Sequence, residues 1–276
     1  MEDQWSACDL NALLDELAVG LADPDCDLDA LGDMEEQLTA AQQAALIPRL
    51  EAHLEAAVAA GNGYARSVLA GILAETAGRA SLAVLLRAWS RNLGDDQDSL
   101  TTTLSVFAHE DPVTARRVLV PWAEDPDPNL RRTAIWLLGY VPAITDPALL
   151  AHAAQDPDER IRSAVVGTLG SHGTSPAAVD LMVSLLADPS AHVRVCVLSS
   201  LGFLQQPWTL PEICRLADDS SPPVRAWVAI ALGRFHATES GDLATAAVLD
   251  RLQVDPDPYV REQATTARRR TTHRSR

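Results

Sequence analysis

The sequence predicts an all-α solenoid of about seven helical pairs. Three observations carry that prediction: a signature string recurs five times, its spacing suits one helical hairpin, and its apolar residues fall at helical period. The strings are DPDPNLRRTAIWLLGYV from Asp125, DPDERIRSAVVGTLGSH from Asp156, DPSAHVRVCVLSSLGFL from Asp188, Asp219 followed by SSPPVRAWVAIALGRF, and DPDPYVREQATTARRRT from Asp255. Their shared arginines stand at 131, 162, 194, 225 and 261, in steps of 31, 32, 31 and 36 residues.

Along the chain, residues 1–60 read as an acidic helical segment with the first degenerate repeat helix, and residues 61–110 as degenerate repeats. Residues 111–270 read as regular repeats and 271–276 as a basic tail, all in one continuous solenoid domain. Within the degenerate part, 33–77 and 81–110 are expected to form two helical pairs. There Arg66 keeps the signature arginine without the leading Asp, and Thr101 replaces it. In the regular repeats each feature has a physical task. The leading Asp, followed by Pro in four of five copies, ends one helix. Asp127, Asp158, Ser190, Ser221 and Asp257 suit the N-cap of the next. Pro128, Pro222 and Pro258 fit the first turn, where a missing N–H is harmless. An apolar stripe follows, as in Leu130, Ala134 and Leu138. The glycines at 139, 170, 202 and 233 either stop the helix or admit a close neighbour.

The strings of form D-P-x-x-x-V-R-x-x-A-x-x-x-L-G resemble the HEAT-repeat family, in its short bacterial, phycobilisome-lyase-type form, from residue 111 to about 270. The resemblance implies a right-handed superhelix with the second helix of each pair on the concave side. It also implies a structural ladder of turn Asp and helix Arg, here Asp125 and Arg131, Asp156 and Arg162, Asp188 and Arg194, Asp219 and Arg225, and Asp255 and Arg261. A position repeated in every unit is better explained by what every unit needs than by a ligand.

Winding the second helices at 100° per residue sends the stripe to the core and leaves Arg132, Trp136, Val195, Ser199, Ala226 and Ile230 opposite it. Tyr140, Phe203 and Trp227 flank them. Of the chain's six Trp, three Tyr and three Phe, four fall on this strip, and the face reads as apolar rather than charged. Two explanations stand: lateral packing of neighbouring helices, or a partner-binding groove of Arg132, Trp136, Tyr140, Val195, Ser199, Phe203, Trp227 and Ile230.

Composition narrows the chemistry. There are 38 acids against 22 bases, all of the bases Arg, for a net charge of −16, and residues 1–40 hold twelve acids and no base. Such a body repels phosphate backbones, so no nucleic acid is expected. The sequence leads to no expected membrane span and no secretory signal, and the cytosol is the expected compartment. The four cysteines are too far apart for a disulfide scaffold or a CxxC zinc site. Asp23-Pro-Asp-Cys-Asp-Leu-Asp29 alternates acids like a calcium loop but has Leu28 and Met34 where Gly and Glu are needed, so it reads as an acidic linker between two N-terminal helices. No nucleophile, phosphate or dinucleotide motif appears, and no catalytic residue, metal or cofactor is expected.

The expected function is therefore a non-catalytic, cytoplasmic scaffold that binds a protein or peptide with a basic or apolar surface on its concave face. Two alternatives stay open. One is an enzyme or enzyme accessory of the HEAT-like type, a lyase chaperone or DNA glycosylase. The other is an immunity or antitoxin protein that neutralises a basic toxin.

Overall fold

In a computed structural model, residues 7–91, 98–142, 147–171, 175–235 and 242–274 are described. They are helical throughout, with no strand among them. The helices are α1 (Ala7–Ala22), α2 (Leu28–Ala41), α3 (Ile47–Ala59), α4 (Gly63–Ala77), α5 (Leu82–Ser90), α6 (Asp98–Glu110), α7 (Pro112–Trp122) and α8 (Pro128–Leu138). There follow α9 (Pro147–Ala153), α10 (Glu159–Ser171), α11 (Pro176–Ser184), α12 (Ala191–Leu204), α13 (Leu210–Arg215), α14 (Pro222–Leu232), α15 (Asp242–Leu252) and α16 (Pro258–Arg274). The contacts divide into two compact units, Met1–Pro142 and Ala143–Arg276.

Each unit is an α-solenoid of helical pairs in two layers. In the second unit α10, α12, α14 and α16 stack in series, and α11, α13 and α15 each pack on these second helices. In the first unit α2, α4, α6 and α8 form the equivalent series, with α1, α3 and α5 alongside. Among the described residues the helices make eight pairs, where the sequence predicts about seven. Helix α2 belongs with α1 rather than with residues up to 77, because Asp27 starts it by accepting from the Asp29 and Ala30 amides. The same bonds, with Asp23 accepting from the Asp25 amide, employ the acidic run 23–29 in capping. Residues 63–90 hold an 18-residue window of mean hydropathy 1.5, long and apolar enough to pass for a membrane span by composition. Gly78, at φ 55°, breaks that run into α4 and α5, which pack against each other.

The turn before each regular second helix is built the same way five times. The leading carboxylate accepts from the amide two residues on: Asp125 from Asp127, Asp156 from Asp158, Asp188 from Ser190, Asp219 from Ser221 and Asp255 from Asp257, all at 2.8–2.9 Å. Asp127, Asp158 and Asp257 then cap their helices by accepting from the Asn129, Arg160 and Tyr259 amides. Ser190 and Ser221 hold the N-cap position without a side-chain cap bond, so in those repeats the leading Asp carries the turn.

The signature arginine closes the motif from two sides. Its Nη1 donates back to the leading Asp's own carbonyl, six residues earlier, in all five copies at 2.7–2.8 Å. In the second unit its Nε and Nη2 reach forward to the next repeat's carboxylate, in the pairs Arg162–Asp188, Arg194–Asp219 and Arg225–Asp255, at 2.7–2.9 Å. The six-apart partners thus meet through backbone, whereas the carboxylate partner lies one repeat further on. These forks are bidentate and mostly buried, the Asp188 and Arg162 side chains being 3% and 11% exposed.

The rungs make stability sensitive to acid. Burial opposes ionisation of Asp188, but the bonds from Arg162 and the Ser190 amide outweigh it and hold the carboxyl below its usual range. Arg225 does the same for Asp255, against burial and with help from the Asp257 amide. A carboxyl depressed by folding stabilises above its unfolded pKa, and that contribution fades as pH falls through the folded value. The melting temperature should be flat from neutral pH to about pH 5 and fall below about pH 4. Asp255→Asn should melt lower at neutral pH and show a shallower acid slope, which thermal unfolding followed by circular dichroism will measure.

Candidate functional site

The second helices can lie close because the Leu-Gly pairs remove side chains where neighbouring backbones meet. A Cβ at Gly233 would stand 2.8 Å from the Ala267 Cβ and 3.0 Å from its Cα, and one at Gly202 would stand 3.0 Å from the Ala231 Cα. Gly139 and Gly233 also end α8 and α14 as C-caps, whereas α10 and α12 run on through Gly170 and Gly202. Both expected roles of the glycine therefore occur.

In the first unit, Arg132, Trp136 and Tyr140 gather on α8 around a residue that sequence reasoning missed. Trp89, from α5, stacks on Trp136 with centroids 4.5 Å apart and planes 8° from parallel. Tyr140 meets Trp136 edge-on at 5.2 Å, and the Arg132 guanidinium lies 5.4 Å from the Trp89 ring. The Trp89 indole N–H donates to Thr101 at 3.0 Å, so the threonine that replaces the signature arginine serves this cluster. Trp89 continues the α5 stripe Leu82, Leu85 and Leu86, and its spacing therefore marks it as core; only the fold brings it to Trp136. Tyr140 remains 42% exposed.

In the second unit, Phe203 and Trp227 are brought together by another missed residue, Arg234. Its guanidinium lies 4.0 Å from the Phe203 ring centre and 5.7 Å from that of Trp227, and Nη1 donates to the Ser199 carbonyl at 3.3 Å. Phe203 is 69% exposed. Val195, Ser199 and Ile230 are half-buried. Ala226, expected on the open face, is fully buried because α14 is packed between α12 and α16. The face is also more basic than expected, since Arg234 and Arg270 lie nine residues after their signature arginines, beyond the positions one and five that define the strip.

The first-helix side of the first unit holds a separate concavity of about 610 Å³ between α3 and α5. Glu51 and Glu55 form one wall and Arg87 and Arg91 the other, and Arg87 stacks over Trp122 at 5.1 Å. The repeat signature carries no trace of it, because that signature lies in the second helices. Elsewhere burial raises the Cys196 and Cys214 thiol pKa values, Arg251 partly offsetting the rise at Cys214, so both thiols stay neutral. Among the described residues no three His, Cys, Asp or Glu side chains converge as a metal site. His172, His236 and the tail side chains beyond Arg270 lie outside the described residues.

A family model for HEAT repeats matches residues 116–195 and 179–268, more than half of the chain. The chain belongs to the HEAT-repeat family. Among solved structures, this HEAT-repeat chain is similar in fold to Kap121p, with a TM-score of 0.62 at 15% identity over 98% of this chain and 33% of that one. It is similar to YibA of E. coli (TM-score 0.50, 17% identity, 99% of each chain covered) and to an engineered protein (TM-score 0.52, 14% identity, 96% of this chain and 79% of that one). No curated protein sequence matches it.

The glycines give this surface a test with opposite signs. Gly233→Ala should destabilise by about 1–3 kcal/mol, since the new methyl meets backbone. Gly167→Ala, mid-helix in α10 with nothing within 4 Å, should stabilise by roughly 0.5–1 kcal/mol. Denaturant unfolding of the two variants beside wild type will show whether the signs differ.

Proposed function

We propose that this HEAT-repeat chain is a non-catalytic scaffold that binds a protein or peptide segment on its second-helix face. The binding residues are Arg132, Trp136 and Tyr140 in the first unit and Val195, Ser199, Phe203, Trp227 and Ile230 in the second. The observation that carries this reading is the pair of arginine-braced aromatic groups, each with a ring open to solvent: Tyr140 in one and Phe203 in the other. Aromatic side chains held rigid by a stacked guanidinium lose little entropy on binding, and solenoids present ligand surfaces of this kind.

The reading is tested by panning a random twelve-residue peptide library on the full chain. Recovered peptides should bind Trp136→Ala or Trp227→Ala about thirtyfold more weakly, the effect of losing an anchor of about 2 kcal/mol. Thermal unfolding should show both variants folded. Recovered peptides that ignore both substitutions, or unfolding of both variants, would contradict the assignment.

A further inference from the structure

The ninth residue after each signature arginine of the last three repeats is Phe203, Arg234 and Arg270. Equivalent positions on stacked helices form a column, and this one runs along the α12, α14 and α16 series. The 4.0 Å approach of Arg234 to Phe203 is one step of it. The next step crosses Gly233, where a Cβ would stand 2.8 Å from the Ala267 Cβ, three residues before Arg270; burial, and then the Arg270 charge, lower the Arg234 pKa. The glycines at 202 and 233 make both steps possible by letting the helices close, and the Arg234 stem lies over Gly202.

Among the described residues the column has no anion. The chain carries 38 acids, and the signature arginines Arg162, Arg194 and Arg225 are matched to carboxylates. Among the described residues Arg234 donates to a backbone carbonyl, and neither it nor Arg270 has a carboxylate in ion-pair range. Two like charges one repeat apart, one of them half-buried between aromatic rings, repel each other until a partner neutralises them. An arginine whose carbon stem and flat face are held by packing keeps its donor edge preorganised for a carboxylate.

We propose that this column is a recognition site for an extended acidic peptide segment. This deepens the scaffold reading and rests on it. Helices pack about 10 Å apart, and one three-residue turn of a polyproline II chain rises about 9 Å and returns the side chain to the same face. A peptide lying along the column therefore sets an apolar side chain on Phe203, a carboxylate three residues on at Arg234, and a second carboxylate three residues further at Arg270. Trp227 walls the middle position. The specificity is acidic with an apolar anchor, opposite to the basic partner that the overall charge suggests, because contact is decided by the local groups once long-range fields are screened beyond about 8 Å.

The probe is fluorescein-labelled Leu-Ser-Ser-Glu-Ser-Ser-Glu-amide, followed by anisotropy on the full chain, beside its Gln-for-Glu counterpart. The Glu peptide should bind at least tenfold tighter than the Gln peptide, and Arg234→Gln or Arg270→Gln should each cost the Glu peptide about tenfold while leaving the Gln peptide unchanged. Arg270 is exposed, so its variant keeps the test valid even where Arg234→Gln fails to fold. Equal binding of the two peptides, or indifference to Arg270→Gln, overturns the proposal. Lys- or Arg-rich peptides recovered from the random library that need Trp227 but not Arg234 overturn the acidic specificity and leave the scaffold reading standing. A library with no Trp-dependent peptide overturns both.

Discussion

The carboxylate that opens each regular repeat is the point on which the rest of the fold depends. It accepts the amide two residues on and so fixes the turn between helices. In the second unit it also accepts the forked guanidinium of the preceding repeat, while the arginine of its own repeat takes its carbonyl. Each of these groups would be costly to leave unpaired in so buried a place. Turn geometry, helix start and inter-repeat register are therefore set by one residue, and changing it disturbs all three.

Register has functional consequences because stacked repeats turn a sequence position into a line in space. The glycine line lets second helices approach, and the line beside it becomes the column from Phe203 to Arg270. The ladder satisfies Arg162, Arg194 and Arg225 internally, so an arginine off the ladder with no carboxylate among the described residues stands out as a candidate for an external partner. Arg234 is such a residue, and its rings hold it in place rather than neutralise it. Net charge acts at longer range, where salt screens it; the column acts at contact.

The fold was legible because repetition converts weak local signals into a strong one. Aspartate, proline, arginine and Leu-Gly at fixed offsets specify a turn, a helix start, a rung and a close approach. The first two helices were legible only as an acidic helical segment with a linker and not as a repeat, because α1 and α2 have no such string, only an apolar period and the Asp27 cap. The site was legible in part. Helical winding found Trp136, Tyr140, Phe203 and Trp227, since each lies within a second helix or at its end. It could not find Trp89, whose spacing marks it as core, because pairing α5 with α8 is a tertiary fact. Arg234 was within reach: comparing ninth positions across repeats would have aligned it with Phe203.

The claim that the forward rung locks neighbouring repeats is tested most directly by a double-mutant cycle between Arg194 and Asp219. Arg194→Met, Asp219→Asn and the double variant would be compared with wild type by urea unfolding at neutral pH. Asparagine keeps an acceptor for the Ser221 amide, so the cycle isolates the rung rather than the turn. A coupling of about 2 kcal/mol is expected for a mostly buried bidentate pair. Additivity within about 0.5 kcal/mol would mean the two residues stabilise their own turns independently, and would contradict the account.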